Sequence, residues 1–264
     1  MSRSVNQLCD DLASIESTGI SNIVRRTRQF YAGVLRHLVD LMTMGVHRDD
    51  CPMEGPRAAF LDAATCAAEL LGRTEVANQW NEVSVLAEFS ISALAGHLLR
   101  AIKTVELYLD GPEPTAEPLD AASYYQTLAI TPDISSQLNR DVRERGAEMS
   151  AAGPAAVAEE ARAVTERLTG RLADEAGDRE IQVLGNLAIT LDEYLRTRVV
   201  ELVVHADDLV LSAGLDDGVA IAPSTTTVAI LALVDLARLR HGDLAVVRAL
   251  TRRERDAVSA LRVL

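Results

Sequence analysis

Residues 191–214 read LDEYLRTRVVELVVHADDLVLSAG. At 100° of turn per residue, Tyr194, Arg198, Glu201, His205 and Asp208 fall on one stripe about 80° wide. Leu191, Leu195, Val199, Leu202, Val203, Ala206, Leu209 and Val210 fill much of the remaining circumference. A helix apolar on most sides is buried. Ionisable groups buried with it are costly unless they pair or hold a metal. The spacing predicts a helix from about Leu191 to Ser212, ended by Gly214, that carries a polar stripe into a core.

Glu201 and His205 stand at i, i+4, which brings a carboxylate oxygen and an imidazole nitrogen to one point. A catalytic zinc site takes three protein ligands and keeps one position open, so a third ligand must come from another helix. His97 is the best candidate. It lies in SISALAGHLLRAIKTVELYLD (90–110) among Leu94, Leu98 and Ala101, and Ala95-Gly96 lets another helix approach closely. In an antiparallel bundle His97 faces Glu201 and His205. Two histidines and a glutamate suit Zn²⁺, and the ligand types also admit Ni²⁺, Fe²⁺ or Mn²⁺. Asp208, one turn beyond His205, is placed to orient a ligand imidazole. The competing reading of the same spacing is an ordinary Glu–His contact on a helix surface.

The whole chain bounds what this stripe can serve. It has 264 residues, 48% of them apolar, with a formal net charge of −13. That is one large domain or two small ones with a real core. The negative balance argues against a general nucleic-acid binder and against a polybasic membrane-surface protein. Cys9, Cys51 and Cys66 are odd in number and lack CxxC spacing, so a reducing cytoplasm is the expected setting. The first 17 residues hold no apolar run, so no secretory leader is expected. Apolar stretches are broken well short of the roughly 18 residues a membrane span needs.

Helical periodicity recurs along the chain, and aromatics are only 3%. Residues 22–45 are amphipathic. Pro56 opens a helix that Gly72 closes in the C′ role, and Ser90 is an N-cap. GPEPTAEP (111–118) is the clearest loop. Helices are expected near 133–149, 155–175, 224–240 and 243–262, while 180–190 is ambiguous and could be a short extended piece. The fold class is all-α, a helix bundle with extra helices at both ends.

The segments WNEVSVLAEFSISALAGHLLRAIKTVELYLDGPEP (80–114) and YLRTRVVELVVHADDLVLSAGL (194–215) resemble the mycothiol-dependent maleylpyruvate isomerase and DinB-like metalloprotein superfamily. The tail LARLRHGDLAVVRALTRRER (236–255) is also similar to its actinobacterial members. The resemblance covers roughly residues 56–255. It implies a DinB-like four-helix bundle holding one divalent metal on His97, Glu201 and His205, the residues reached above independently. It also implies mycothiol as cofactor or co-substrate. The domain reading is a helical N-terminal extension (1–50), a metal-binding bundle (51–215) and a C-terminal helical segment packed on it (216–264). Residues 1–50 match nothing associated with the family and are read as a packing arm, a homodimer element or a lid. The isomerase proper carries a mixed α/β C-terminal domain, which the helical pattern after Leu215 lacks.

A metal with an open position can bind a thiol and lower its pKa, and the thiolate can attack a small electrophile. The leading expectation is an enzyme transferring mycothiol sulfur to such a substrate. The alternatives are mycothiol-dependent cis–trans isomerisation of maleylpyruvate, and a metal-binding or sensing module without turnover. Arg198 and Arg100 are candidates to hold a carboxylate of thiol or substrate, against structural salt bridges. Tyr194 is a candidate donor to a developing anion, against a core tyrosine. His37, His47 and His241 read as structural or surface residues, Cys66 as core, and Arg25–Arg28 and Arg252–Arg255 as solvated helix faces.

Overall fold

The structure, a computed structural model, describes residues 55–128, 136–251, 261 and 263. Residues 1–50, with His37, His47, Cys9 and the 22–45 segment, lie outside the described residues. So do Cys51 and the 252–255 run.

Four long helices make the bundle: α1 (Pro56–Leu71), α3 (Ile91–Leu109), α6 (Pro154–Asp174) and α7 (Leu191–Ala213). Local chemistry starts them. Proline opens α1 and α6 at the first turn, where its missing N–H costs nothing. Ser90 Oγ caps α3 by accepting from the Ala93 N–H at 3.1 Å, as its position predicts. α7 ends at Gly214 with φ 64°, a left-handed conformation that glycine adopts freely. Gly72 also ends its helix, but at φ −80°, so α1 stops without the expected left-handed cap.

α1 and α3 each pack against both α6 and α7 and barely touch one another, so they occupy opposite corners of the bundle. Side-chain pairs give the directions. Arg57 binds Asp192, and Lys103, Glu106 and Asp110 bind Glu160, Arg167 and Arg171 in rising order. α1 therefore runs parallel to α7, and α3 parallel to α6. Across α3 and α7, His97 meets Glu201 and Thr104 meets Tyr194. That falling order makes the pair antiparallel, as expected. The interior between them is fully buried Leu94, Leu98, Ile102, Leu195, Val199 and Leu202, each contributing about 1.5–3 kcal/mol by removal from water.

Shorter elements fill the corners. α2 (Thr74–Asn78) follows α1, and β1 (Pro118–Leu119) leads into α4 (Ala121–Thr127). α5 (Gln137–Ser150) lies on α3, and α8 (Pro223–His241) packs on α7, α4 and α1 ahead of α9 (Asp243–Thr251). The ambiguous stretch 180–190 is a hairpin of β2 (Glu180–Val183) and β3 (Leu187–Thr190). β3 pairs antiparallel to β2 and parallel to β1. Its turn holds Gly185 and Asn186 at positive φ. The all-α class stands with this three-stranded sheet as its exception, and the end of the 111–118 loop is its edge strand. No described helix is long and apolar enough to cross a membrane.

Two glycines let α3 and α5 approach closely. A Cβ added to Gly96 would fall inside the Gly146 carbonyl. One added to Gly146 would lie 2.6 Å from the Ala93 carbonyl oxygen and 3.6 Å from the His97 nitrogen. Gly146→Ala is expected to cost about 1–3 kcal/mol or more through overpacking. Gly170→Ala, whose Cβ would meet open space on α6, should be neutral or stabilising by about 0.5–1 kcal/mol. Urea denaturation of both variants checks the contrast.

Candidate metal centre

His97 reaches inward from α3, and Glu201 and His205 from successive turns of α7. One donor atom from each lies within 4.8 Å of the other two. Glu201 Oε2 is 3.1 Å from His97 Nε2 and 3.6 Å from His205 Nε2. A tetrahedron with bonds of about 2.0–2.2 Å has edges of about 3.3–3.6 Å. The two carboxylate–imidazole separations are close to those edges. The imidazoles stand edge to face, their centroids 4.6 Å apart. The three side chains keep 16–22% of their surface, so the cluster is sunk yet reaches solvent.

The donors are tuned by their neighbours. Burial alone would raise the Glu201 pKa. Hydrogen bonds from His205 and His97 and the Arg198 charge outweigh it and hold the carboxyl well below its usual range. Burial pushes His97 down, more than its bond to Glu201 raises it. Burial also acts downward on His205, but bonds to Asp208 and Glu201 carry it up to about 9. Asp208 Oδ2 lies 2.9 Å from His205 Nδ1. That bond leaves Nε2 for the cluster, the arrangement a ligand histidine takes. His97 Nδ1 is buried and finds no partner among the described residues.

The stripe on α7 divides. Glu201, His205 and Asp208 converge. Arg198 lies beside them with its guanidinium 4.8 Å from the Tyr194 ring centroid and its Nε donating to Thr197 Oγ1 at 3.2 Å. Tyr194 turns away. Its hydroxyl donates to Thr104 Oγ1 at 2.8 Å and its ring packs between Tyr108 and Tyr124. Its side chain is fully buried there. Arg100 is half-buried and makes no hydrogen bond or ion pair with a described residue. Cys66 is buried and free, its thiol raised to about 11 chiefly by burial. His241 is exposed at the end of α8.

Tyr125 is the residue that sequence reasoning passed over. It sits on α4, fully buried, with its hydroxyl 3.1 Å from Glu201 Oε1 and 2.9 Å from the Thr197 carbonyl oxygen. The one local signal was the Asp120–Ser123 cap, which announces a helix but says nothing of what it faces.

Residues 60–210 match the family model described as mycothiol maleylpyruvate isomerase N-terminal domain. The chain belongs to that family. The matched span contains His97, Tyr125, Arg198, Glu201 and His205. Two solved structures are similar, the mycothiol-dependent maleylpyruvate isomerase and a histidine-to-alanine variant of it. Both are 19% identical, cover 71% of this chain and 70% of their own, and give TM-scores of 0.46 and 0.45. No curated protein matches the chain.

The two histidines pull metal-free stability in opposite directions. His97, lowered from 6.5, is neutral in the fold while the unfolded chain still binds a proton, so its contribution grows as pH rises to about 6.5. His205 keeps its proton in the fold, so its contribution is complete below 6.5 and is lost as pH climbs through about 9. Metal-free protein should be most stable near pH 6.5 and decline towards pH 9. The alkaline decline should flatten in His205→Gln. Denaturation midpoints across pH 5–10 measure both, and an unchanged slope in the variant contradicts the assignment.

Proposed function

We propose that the chain is an enzyme that couples a divalent metal, zinc first among the candidates, to mycothiol. Its substrate is a small unsaturated carboxylic acid of the maleylpyruvate kind, and its reaction is isomerisation. The observation that carries the proposal is the meeting of His97 Nε2, Glu201 Oε2 and His205 Nε2 across two helices. The family's name supports mycothiol and isomerisation over the S-transfer ranked first from sequence. A reducing cytoplasm fits the free, buried Cys66.

When bound, the metal supplies an open coordination position at which a thiol ionises near neutral pH. The protein's own groups prepare for it. Glu201 is ionised beforehand by the two imidazoles and Arg198. Asp208 fixes the His205 ring with Nε2 facing the cluster. Among the described residues Arg198 commits only its Nε to a side chain, leaving its terminal N–H groups to hold a carboxylate. Arg100 adds a second cation near Tyr124, the ring that Arg198 also influences. In isomerisation the thiol is returned after each turnover, whereas in S-transfer it leaves in the product.

Protein purified without a metal-binding tag should contain close to one metal per chain, and His97→Ala and His205→Ala should each lose it. Elemental analysis reads this, and full occupancy in both variants would falsify the centre. With maleylpyruvate and a small amount of mycothiol, many turnovers per thiol indicate isomerisation. One product per thiol indicates transfer. Arg198→Met should keep its metal and bind the carboxylate substrate about ten- to hundred-fold more weakly, matching the ~1.5–3 kcal/mol of a charged hydrogen bond.

A further inference from the structure

The two oxygens of Glu201 face different partners. Oε2 is turned to His97 and His205, while Oε1 is 3.1 Å from the Tyr125 hydroxyl. The other atom in reach of that hydroxyl is the Thr197 carbonyl oxygen at 2.9 Å. Both are acceptors, so the tyrosine proton points to this pair. The helix that presents Tyr125 is fixed at its start twice. Asp120 Oδ1 accepts from the Ser123 N–H at 2.7 Å, and Glu193 Oε2 from the Ala121 N–H at 2.9 Å. The carboxylate is thus held from outside its own helix.

We propose that Tyr125 is a positioning residue that makes Glu201 a one-oxygen ligand. It keeps the second oxygen out of the coordination position that thiol or substrate must use. The proposal rests on the metal reading above. A carboxylate can bind an ion through one oxygen or through both. Two-oxygen binding at a site with two histidines would fill the position that a catalytic centre leaves open. A buried tyrosine suits the task because it is a donor that stays protonated, its ionisation opposed by burial and by Glu201 itself. Tyr194 cannot substitute, since its hydroxyl is committed to Thr104.

Cobalt(II)-loaded full-length protein tests the proposal, because four-coordinate cobalt absorbs visible light several-fold more strongly than five- or six-coordinate cobalt. Wild type should give the intense spectrum. Tyr125→Phe should keep its cobalt, lose several-fold in visible absorbance, and bind 2-mercaptoethanol about ten-fold more weakly, the lower end of what loss of an outer partner costs. The sulfur-to-cobalt charge-transfer band reports the binding. Tyr124→Phe removes a neighbouring hydroxyl with no bond to Glu201 and should match wild type. A Tyr125→Phe protein with the wild-type spectrum and thiol titration overturns the proposal and leaves the metal centre standing. A wild-type spectrum that is already weak overturns it without recourse to any variant. A wild-type chain that holds no cobalt, or holds it undiminished in His205→Ala, overturns the metal reading and this proposal with it.

Discussion

A carboxylate sunk between two imidazoles governs this molecule. Glu201 is ionised where burial opposes ionisation; His97, His205 and Arg198 hold it so, and a tyrosine of a third helix adds a hydrogen bond. His97 comes from α3, His205 and Arg198 from its own helix, and Tyr125 from α4. Without them the cost of burying the charge would be several kcal/mol. The antiparallel register of α3 and α7 supplies the first meeting, and the same register seats Tyr194 on Thr104 two turns deeper. Moving one helix along the other by a turn would break both contacts at once.

Much of this was legible in the chain because helical spacing is a local property. The stripe on 191–214 placed Glu201, His205 and Asp208 on one face, and the apolar flanks of His97 marked a second buried helix. The N-cap at Ser90 and the stop at Gly214 were equally readable, since each depends on one residue's chemistry. What escaped depends on contacts distant in sequence. Tyr125 reads as half of a Tyr-Tyr pair in a short helix, and nothing nearby says that its hydroxyl meets a side chain 76 positions on. Tyr194 shares the polar stripe but turns to a threonine of the facing helix, a choice that spacing alone cannot make. Gly96 did signal a close neighbour. That neighbour is α5, through Gly146, while the helix bearing Glu201 keeps an ordinary side-chain distance.

The electrostatics of the described bundle also differ from the composition. A net charge of −13 suggests a uniformly acidic surface. Many acids are instead spent on pairing. Glu106 and Asp110 tie α3 to α6, Asp192 ties α7 to α1, and Asp208 holds a histidine ring. Arg198, which forms no ion pair within salt-bridge distance among the described residues, lies by the cluster and acts on Glu201 through its charge. The chain is acidic overall, while a buried arginine charge stands beside its most buried carboxylate.

The contact of Gly96 with Gly146 also fixes where His97 stands. With no side chain on either glycine, α5 lies directly against the backbone that carries His97, and the histidine's support cannot retreat. Its helix is packed on three sides, by α5, α6 and α7. His97 is therefore held by backbone packing as well as by its bond to Glu201. A side chain at position 96 or 146 would displace that backbone, so the place of the imidazole is decided by two residues that carry no functional group of their own.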